Sequence, residues 1–292
     1  MDVAIRDAML PGLDSRSFFQ ALRHAGVSAI EVEVAPDYST PHLRADDGTP
    51  FSVADAPSAR RLRARLDAEG VGACALLIAN DFTSANADGH VEWAVNVTRA
   101  AAELGAAAVR VDPLARDKSV NASEARDRFA RATERVLRRT ADTGVDLGME
   151  NHGSYANDPM FLDAVLAAVP DPRLGLTLDT GNFYWFGFPL EGVYELIEKY
   201  APAAKHTHLK SINYPPDVAR RKREVGHAYG ECCCALHEGN LDLRRVVKVL
   251  RDAGYDRDLC VEDESLFKHA PENRVDVLRR EVEALRGAMG AS

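Results

Sequence analysis

Four ionisable residues stand at comparable places in short, mostly apolar stretches: Glu150 in GMENHG, Asp179 in LTLDTGNFY, His208 in KHTHLK and Glu262 in CVEDE. Asp179 follows Glu150 by 29 residues, His208 follows Asp179 by 29, and Glu262 comes 54 later. Three carboxylates gathered with one imidazole would repel and raise one another's pKa unless a cation lay among them. A metal is the economical cation. This oxygen-rich donor set suits one divalent ion, Mn²⁺, Mg²⁺ or Co²⁺, with Zn²⁺ also compatible, and leaves positions open for substrate. Each residue also has a plainer use. Asp179 suits an Asx turn or helix N-cap, Glu150 a cap, Glu262 a pair with Arg257, and His208 a satisfied core histidine.

What would bring these residues together is a repeating unit of about 29 residues. Apolar stretches at 3–10, 29–34, 71–80, 106–113, 145–151, 174–180, 204–210 and 258–264 read as strands. Between them, apolar residues recur at three- and four-residue steps over 15–26, 58–70, 90–105, 123–144, 158–169, 189–200, 241–254 and 273–287, which predicts helices. Gly26, Gly70, Gly105, Gly144 and Gly254 fall where C-cap glycines belong. Eight strands alternating with eight helices predict a single-domain (β/α)8 TIM barrel over 1–292, with long loops after strand 2 (35–57) and strand 7 (211–240). In that fold all the strand C-termini surround one mouth. Adjacent strands lie ~4.8 Å apart, so tip side chains can meet.

Composition narrows the function. The formal net charge of −9 argues against a nucleic-acid partner. No apolar run nears the ~20 residues of a membrane span, and the N-terminus has no signal-peptide pattern. The sequence predicts a soluble cytoplasmic protein, with homo-oligomerisation open. Cys74, Cys232, Cys233, Cys234 and Cys260 lack zinc-site spacing and read as reduced thiols.

GMENHG, LTLDTGNFY, KHTHLK and CVEDE resemble the metal-binding strand ends of the xylose-isomerase-like TIM-barrel superfamily, the sugar phosphate isomerases and epimerases, which also holds the type 2 AP endonucleases. The resemblance implies that Glu150, Asp179, His208 and Glu262 bind the divalent ion, and that Glu150 and Glu262 exchange protons with substrate. Strand alternation sends His206 and His208 to one side, so the residues alone do not separate them. The resemblance picks His208, with His206 beside or below the site. Ketohexose 3-epimerases of the superfamily carry His where this chain has Asn182, and Arg near Asn213 and Tyr214. Asn182 can bond a hydroxyl but cannot act as an acid or base. The endonucleases need further His and Glu ligands, where this chain offers Asn80 and Asp81.

The chemistry that fits is proton removal next to a carbonyl through an enediolate. The expected enzyme is a metal-dependent isomerase or epimerase of a keto-sugar or polyol derivative. The alternative is a lyase or dehydratase that eliminates a β-substituent from a keto-sugar, keto-glycoside or inosose; a non-catalytic sugar-binding barrel and an AP endonuclease rank below both. A small carbohydrate is the expected partner. His152, Asn182, Lys210, His206 and Trp185 are the candidate substrate contacts, and Phe183, Tyr184 or Trp185 are expected to line part of the pocket. Residues 217–224, DVARRKRE, read as a solvated basic run.

Overall fold

The computed structural model describes residues 1–290. Eight parallel strands form its sheet: β1 Asp2–Arg6, β2 Ala29–Glu33, β3 Gly72–Leu77, β4 Ala108–Val111, β5 Asp146–Glu150, β6 Leu174–Asp179, β7 Ala204–His208 and β8 Asp258–Val261. The helices that cover it are α1 Ser15–Ala25, α2 Ala56–Ala68, α3 Ala87–Leu104, α4 Ala122–Arg139, α5 Pro159–Ala168, α6 Leu190–Tyr200, α7 Leu243–Asp252 and α8 Arg274–Gly290. The architecture is the predicted TIM barrel. Every residue of β5 and β6 is buried, because helices cover the outside and side chains fill the inside.

The hydrogen-bonded order runs β8-β1-β2-β3-β4-β5-β6-β7. Closure between β7 and β8 is sparse. One parallel bridge joins Leu209 to Val261, with Leu209 N donating to Cys260 O at 2.8 Å and Glu262 N to Leu209 O at 3.0 Å. Below it, the Thr207 hydroxyl donates to Asp258 O at 2.9 Å, a side chain doing the work of a ladder bond.

Local chemistry sets the helix ends. Asp14, Asp55, Asn121, Asp158 and Asp242 each accept a backbone N–H in the first turn of the helix that follows. Gly26 (φ 80°) and Gly105 (φ 77°) terminate α1 and α3 in the left-handed region. Gly144 does not cap α4 as expected. The helix ends at Arg139, where the Thr140 hydroxyl turns back to bond Val136 O at 2.9 Å. The loop after β2 holds an antiparallel hairpin, Ser39–Arg44 with Pro50–Ser52. In the loop after β7, Ser211–Ile212 pairs with Cys233–Cys234. No helix among the described residues is long and apolar enough to cross a membrane.

Glu281 on α8 is fully buried, with Oε1 accepting from Leu236 N at 2.8 Å and no hydrogen bond at Oε2. Burial, then Asp263, pushes its carboxyl well above the usual range. The fold therefore favours the protonated form. Its stabilising contribution is complete below the unfolded-state carboxyl pKa and is lost as pH rises through the folded value. Glu281→Gln keeps the acceptor and removes this penalty. We expect the variant to lose the fall in stability that the parent shows as pH rises from 5 to 8, read from paired urea unfolding curves.

Candidate metal centre at the barrel mouth

Glu150, Asp179 and His208 are the last residues of β5, β6 and β7, and Glu262 directly follows β8. One ligand-capable atom from each lies within 4.8 Å of the others, and all four side chains are buried. Asp179 combines the two uses its position suggests. Its Oδ1 accepts from Gly181 N at 2.8 Å and Asn182 N at 2.7 Å, an Asx-type turn. Its Oδ2 makes no hydrogen bond and faces the cluster. Asn151 pins the backbone beneath, its amide accepting from Asp179 N (2.8 Å) and donating to Asp179 O (2.9 Å). Asn151 thus closes the turn after β5.

The two glutamates divide their oxygens in a similar way. Arg110 grips Glu150 Oε2 through Nε at 2.6 Å and through Nη2, leaving Oε1 3.1 Å from His208 Nδ1. Arg6 grips Glu262 Oε1, and Oε2 is buried without a hydrogen bond. Lys210 Nζ stands 2.9 Å from that Oε2 and 3.1 Å from Asp179 Oδ2, and it reaches Glu264 at 3.2 Å. The carboxylate repulsion inferred from sequence is therefore met in part by Lys210, Arg6 and Arg110. Arg257 pairs with Asp146, not Glu262.

These neighbours set the charge states. Burial would raise Glu150, but Arg110 and His208 hold it well below the usual range. Burial would raise Glu262 too, yet Lys210, His208 and Arg6 hold it at about 2. Burial pushes Asp179 up to about 7, against the pull of Lys210. For His208, burial is outweighed by Glu31, Glu262 and Glu150, which raise it to about 10.

The remaining candidates separate. Asn182 Nδ2 lies 3.3 Å from Glu150 Oε1, inside the cluster. His152 is half-exposed at its edge, with Nδ1 3.1 Å from Asp112 Oδ1. His206 lies below, its Nε2 3.0 Å from Glu31 Oε1. Phe183 and Tyr184 do not line the mouth. Both are fully buried, Phe183 stacked on Tyr200 and Tyr184 against Tyr214, because the short helix Asn182–Phe186 turns them into the core. Trp185 stays half-buried, its backbone O accepting from Gly226 N. In the basic run, Arg223 is not solvated. Its guanidinium lies 4.5 Å from the ring centroids of both Tyr184 and Tyr214 and donates to Tyr184 O and Phe188 O, which pins the loop.

Lys210 reaches the carboxylates over Gly181. A Cβ there would stand 2.4 Å from Lys210 Cγ and 3.1 Å from its carbonyl O, although the backbone (φ −89°, ψ −27°) would accept alanine. Gly181→Ala is expected to fold and to push Lys210 Nζ away from Asp179 Oδ2 and Glu262 Oε2, as read by a crystal structure of the variant.

Arg6, Glu31 and Arg110 escape sequence reasoning. Their signal is an ionisable residue inside an apolar strand: VAIR, AIEVEV and AVRV.

The profile of the xylose isomerase-like TIM barrel family matches residues 19–288. Among curated proteins, the inosose dehydratase of Clostridium botulinum (strain Alaska E43 / Type E3) is 27% identical over 129 residues, 42% of either chain. That of Klebsiella pneumoniae subsp. pneumoniae is 27% identical over 143 residues, 47% of either chain. The chain thus matches about half the length of these relatives. Among solved structures, an IolI protein with a bound zinc atom superposes with TM-score 0.72 at 14% identity, covering 98% of this chain and 99% of that one. An L-ribulose 3-epimerase gives 0.67 at 18%, covering 99% and 96%. With the eight-stranded barrel observed and the profile spanning nearly all of it, the chain belongs to the xylose isomerase-like TIM barrel family.

Proposed function

We propose that the protein is a divalent-metal-dependent enzyme that removes a proton beside the carbonyl of a polyhydroxylated ketone and then expels a β-hydroxyl as water. One observation carries the metal: three carboxylates and one imidazole converge within 4.8 Å at the buried mouth, and two of the carboxylate oxygens, Asp179 Oδ2 and Glu262 Oε2, have no hydrogen bond and share a single ammonium, Lys210 Nζ, at 3.1 and 2.9 Å. Buried carboxylate oxygens are costly in that state, and a cation satisfies them. When bound, the ion supplies positive charge where negative charge develops on the carbonyl oxygen.

The chain's own groups favour elimination. Glu150 has both oxygens engaged, by Arg110 on one side and by His208 and Asn182 on the other. Glu262 Oε2, which makes no hydrogen bond and has the Lys210 ammonium 2.9 Å away, is assigned as the base, and Lys210 is placed to protonate a departing hydroxyl. One base and one adjacent acid suit loss of water. The inosose dehydratase relatives support a cyclic polyol ketone as substrate.

Isomerisation or epimerisation, ranked first from sequence, is the second reading. It is favoured by the presence of two carboxylates, Glu150 and Glu262, at one site, 3.1 and 3.4 Å from His208 Nδ1, since a two-base mechanism needs a second carboxylate to return the proton. Incubating the metal-loaded protein with ketoses, inososes and 3-keto-glycosides in D₂O, followed by NMR, decides between them. Elimination gives a product lighter by one water, whereas epimerisation gives deuterium at a carbon that keeps its oxygen. Neither deuterium uptake nor product with any substrate and metal would remove the enzyme reading.

A further inference from the structure

Beneath the four mouth residues lies a second buried polar layer that the proposed chemistry does not use. Glu31, midway along β2, is fully buried and contacts two histidines at once: Oε1 is 3.0 Å from His206 Nε2 and Oε2 is 2.9 Å from His208 Nε2. His206 is held from its other side by Asp258, whose Oδ2 is 2.6 Å from Nδ1. The two imidazoles meet edge to face with ring centroids 5.3 Å apart. Asp258, His206, Glu31 and His208 thus form one chain of contacts rising from inside the barrel to its mouth.

Imidazole has two nitrogens, and the partner of one decides what the other can do. With Nε2 directed at Glu31, His208 can offer the cluster only Nδ1, which stands 3.1 Å from Glu150 Oε1 and 3.4 Å from Glu262 Oε2. A neutral His208 that keeps its proton on Nε2, donated to Glu31, has an unprotonated Nδ1, the form a cation needs. Bonding at Nε2 also stops ring rotation about χ2, so Nδ1 stays aimed without an ion to hold it.

We propose that Glu31 is a positioning residue: it accepts from His208 Nε2, fixes the tautomer and ring orientation that present Nδ1 to the carboxylate oxygens, and is itself held in place by the His206–Asp258 pair. The inference rests on the ion site proposed above. Glu31 touches neither substrate nor ion and acts only through His208. Its carboxylate is required because the two Nε2 atoms facing it both need an acceptor, and only a carboxylate offers one at each end.

The test is Glu31→Gln, which keeps the volume but gives one imidazole an N–H₂ group where it had an acceptor. Affinity for Mn²⁺ and Zn²⁺ is measured by chelator competition, and long-range ¹⁵N–¹H NMR of the Zn²⁺-loaded protein reads the imidazole tautomers, with His208 assigned by signal loss in His208→Asn. The expected result is a ten- to hundred-fold loss of affinity, with His208 no longer confined to the Nε2–H form. Glu31→Asp keeps the charge on a shorter stem and should fall between parent and Gln; it also serves if the Gln variant fails to fold. Parental affinity and an unchanged His208 tautomer in the folded variants would overturn the positioning role and leave the ion site standing. Failure of the parent itself to bind any ion would overturn both.

Discussion

Glu262→Gln should bind its ion and lose the reaction. The variant keeps an oxygen able to coordinate, while an amide accepts no proton at neutral pH. Loss of solvent-deuterium exchange into substrate by about 10²-fold or more is the scale for removing a general base. The fold should hold, because Arg6 keeps a second partner in Glu33 at 3.0 Å and its side chain is partly exposed. Glu150→Gln should differ. Arg110 is buried, and its other carboxylate, Asp112, is 3.4 Å away, so weakening the Glu150 contact costs about 3 kcal/mol as well as activity. If both variants exchanged substrate deuterium at the parental rate with metal bound, Lys210 and His152 would take over as proton carriers.

The second large effect concerns the ion itself. The parent, stripped with chelator and reconstituted with Mn²⁺, Co²⁺, Mg²⁺ or Zn²⁺, is expected to bind one ion per chain by elemental analysis. Asp179→Asn and His208→Ala should each weaken that binding by at least about 100-fold, beyond the ~10–100-fold typical of outer-shell changes. Asp179→Asn is the sharper probe. Asn can retain Oδ1 for the turn to Gly181 N and Asn182 N, so any loss traces to the cluster-facing oxygen. A reconstituted parent without stoichiometric metal would refute the centre.

Strand ends are the most legible part of this chain. The run expected over 174–180 is β6, Leu174–Asp179, and that over 204–210 begins with β7, Ala204–His208, because β-rich apolar runs between helices have no other place than the barrel wall. The four residues at the mouth follow from that placement. Their electrostatic partners do not. AIEVEV reads as an ordinary alternation with glutamates toward water, and only closure of the sheet turns that face inward and buries Glu31. Arg110 in AVRV is hidden for the same reason. Arg223 sits in a run of charges whose spacing says nothing of the two tyrosines that enclose it, since Tyr184 and Tyr214 lie 39 and 9 residues away. The NFYWFGF aromatics misdirect because composition does not say which face of a five-residue helix meets the core.

The sparse closure between β7 and β8 gives the mouth a mechanical side. Local opening in a sheet starts where the fewest bonds must break together, and the Leu209–Val261 bridge with its few neighbours is that place in this wall. His208 and Glu262 stand on opposite banks of this seam. An ion held by both would act as a clasp, suppressing excursions in which the wall parts and water reaches the interior polar layer. Occupancy would then be written into amide exchange along 207–209 and 259–262, so that the least cooperative stretch of the barrel becomes the one most responsive to ion concentration.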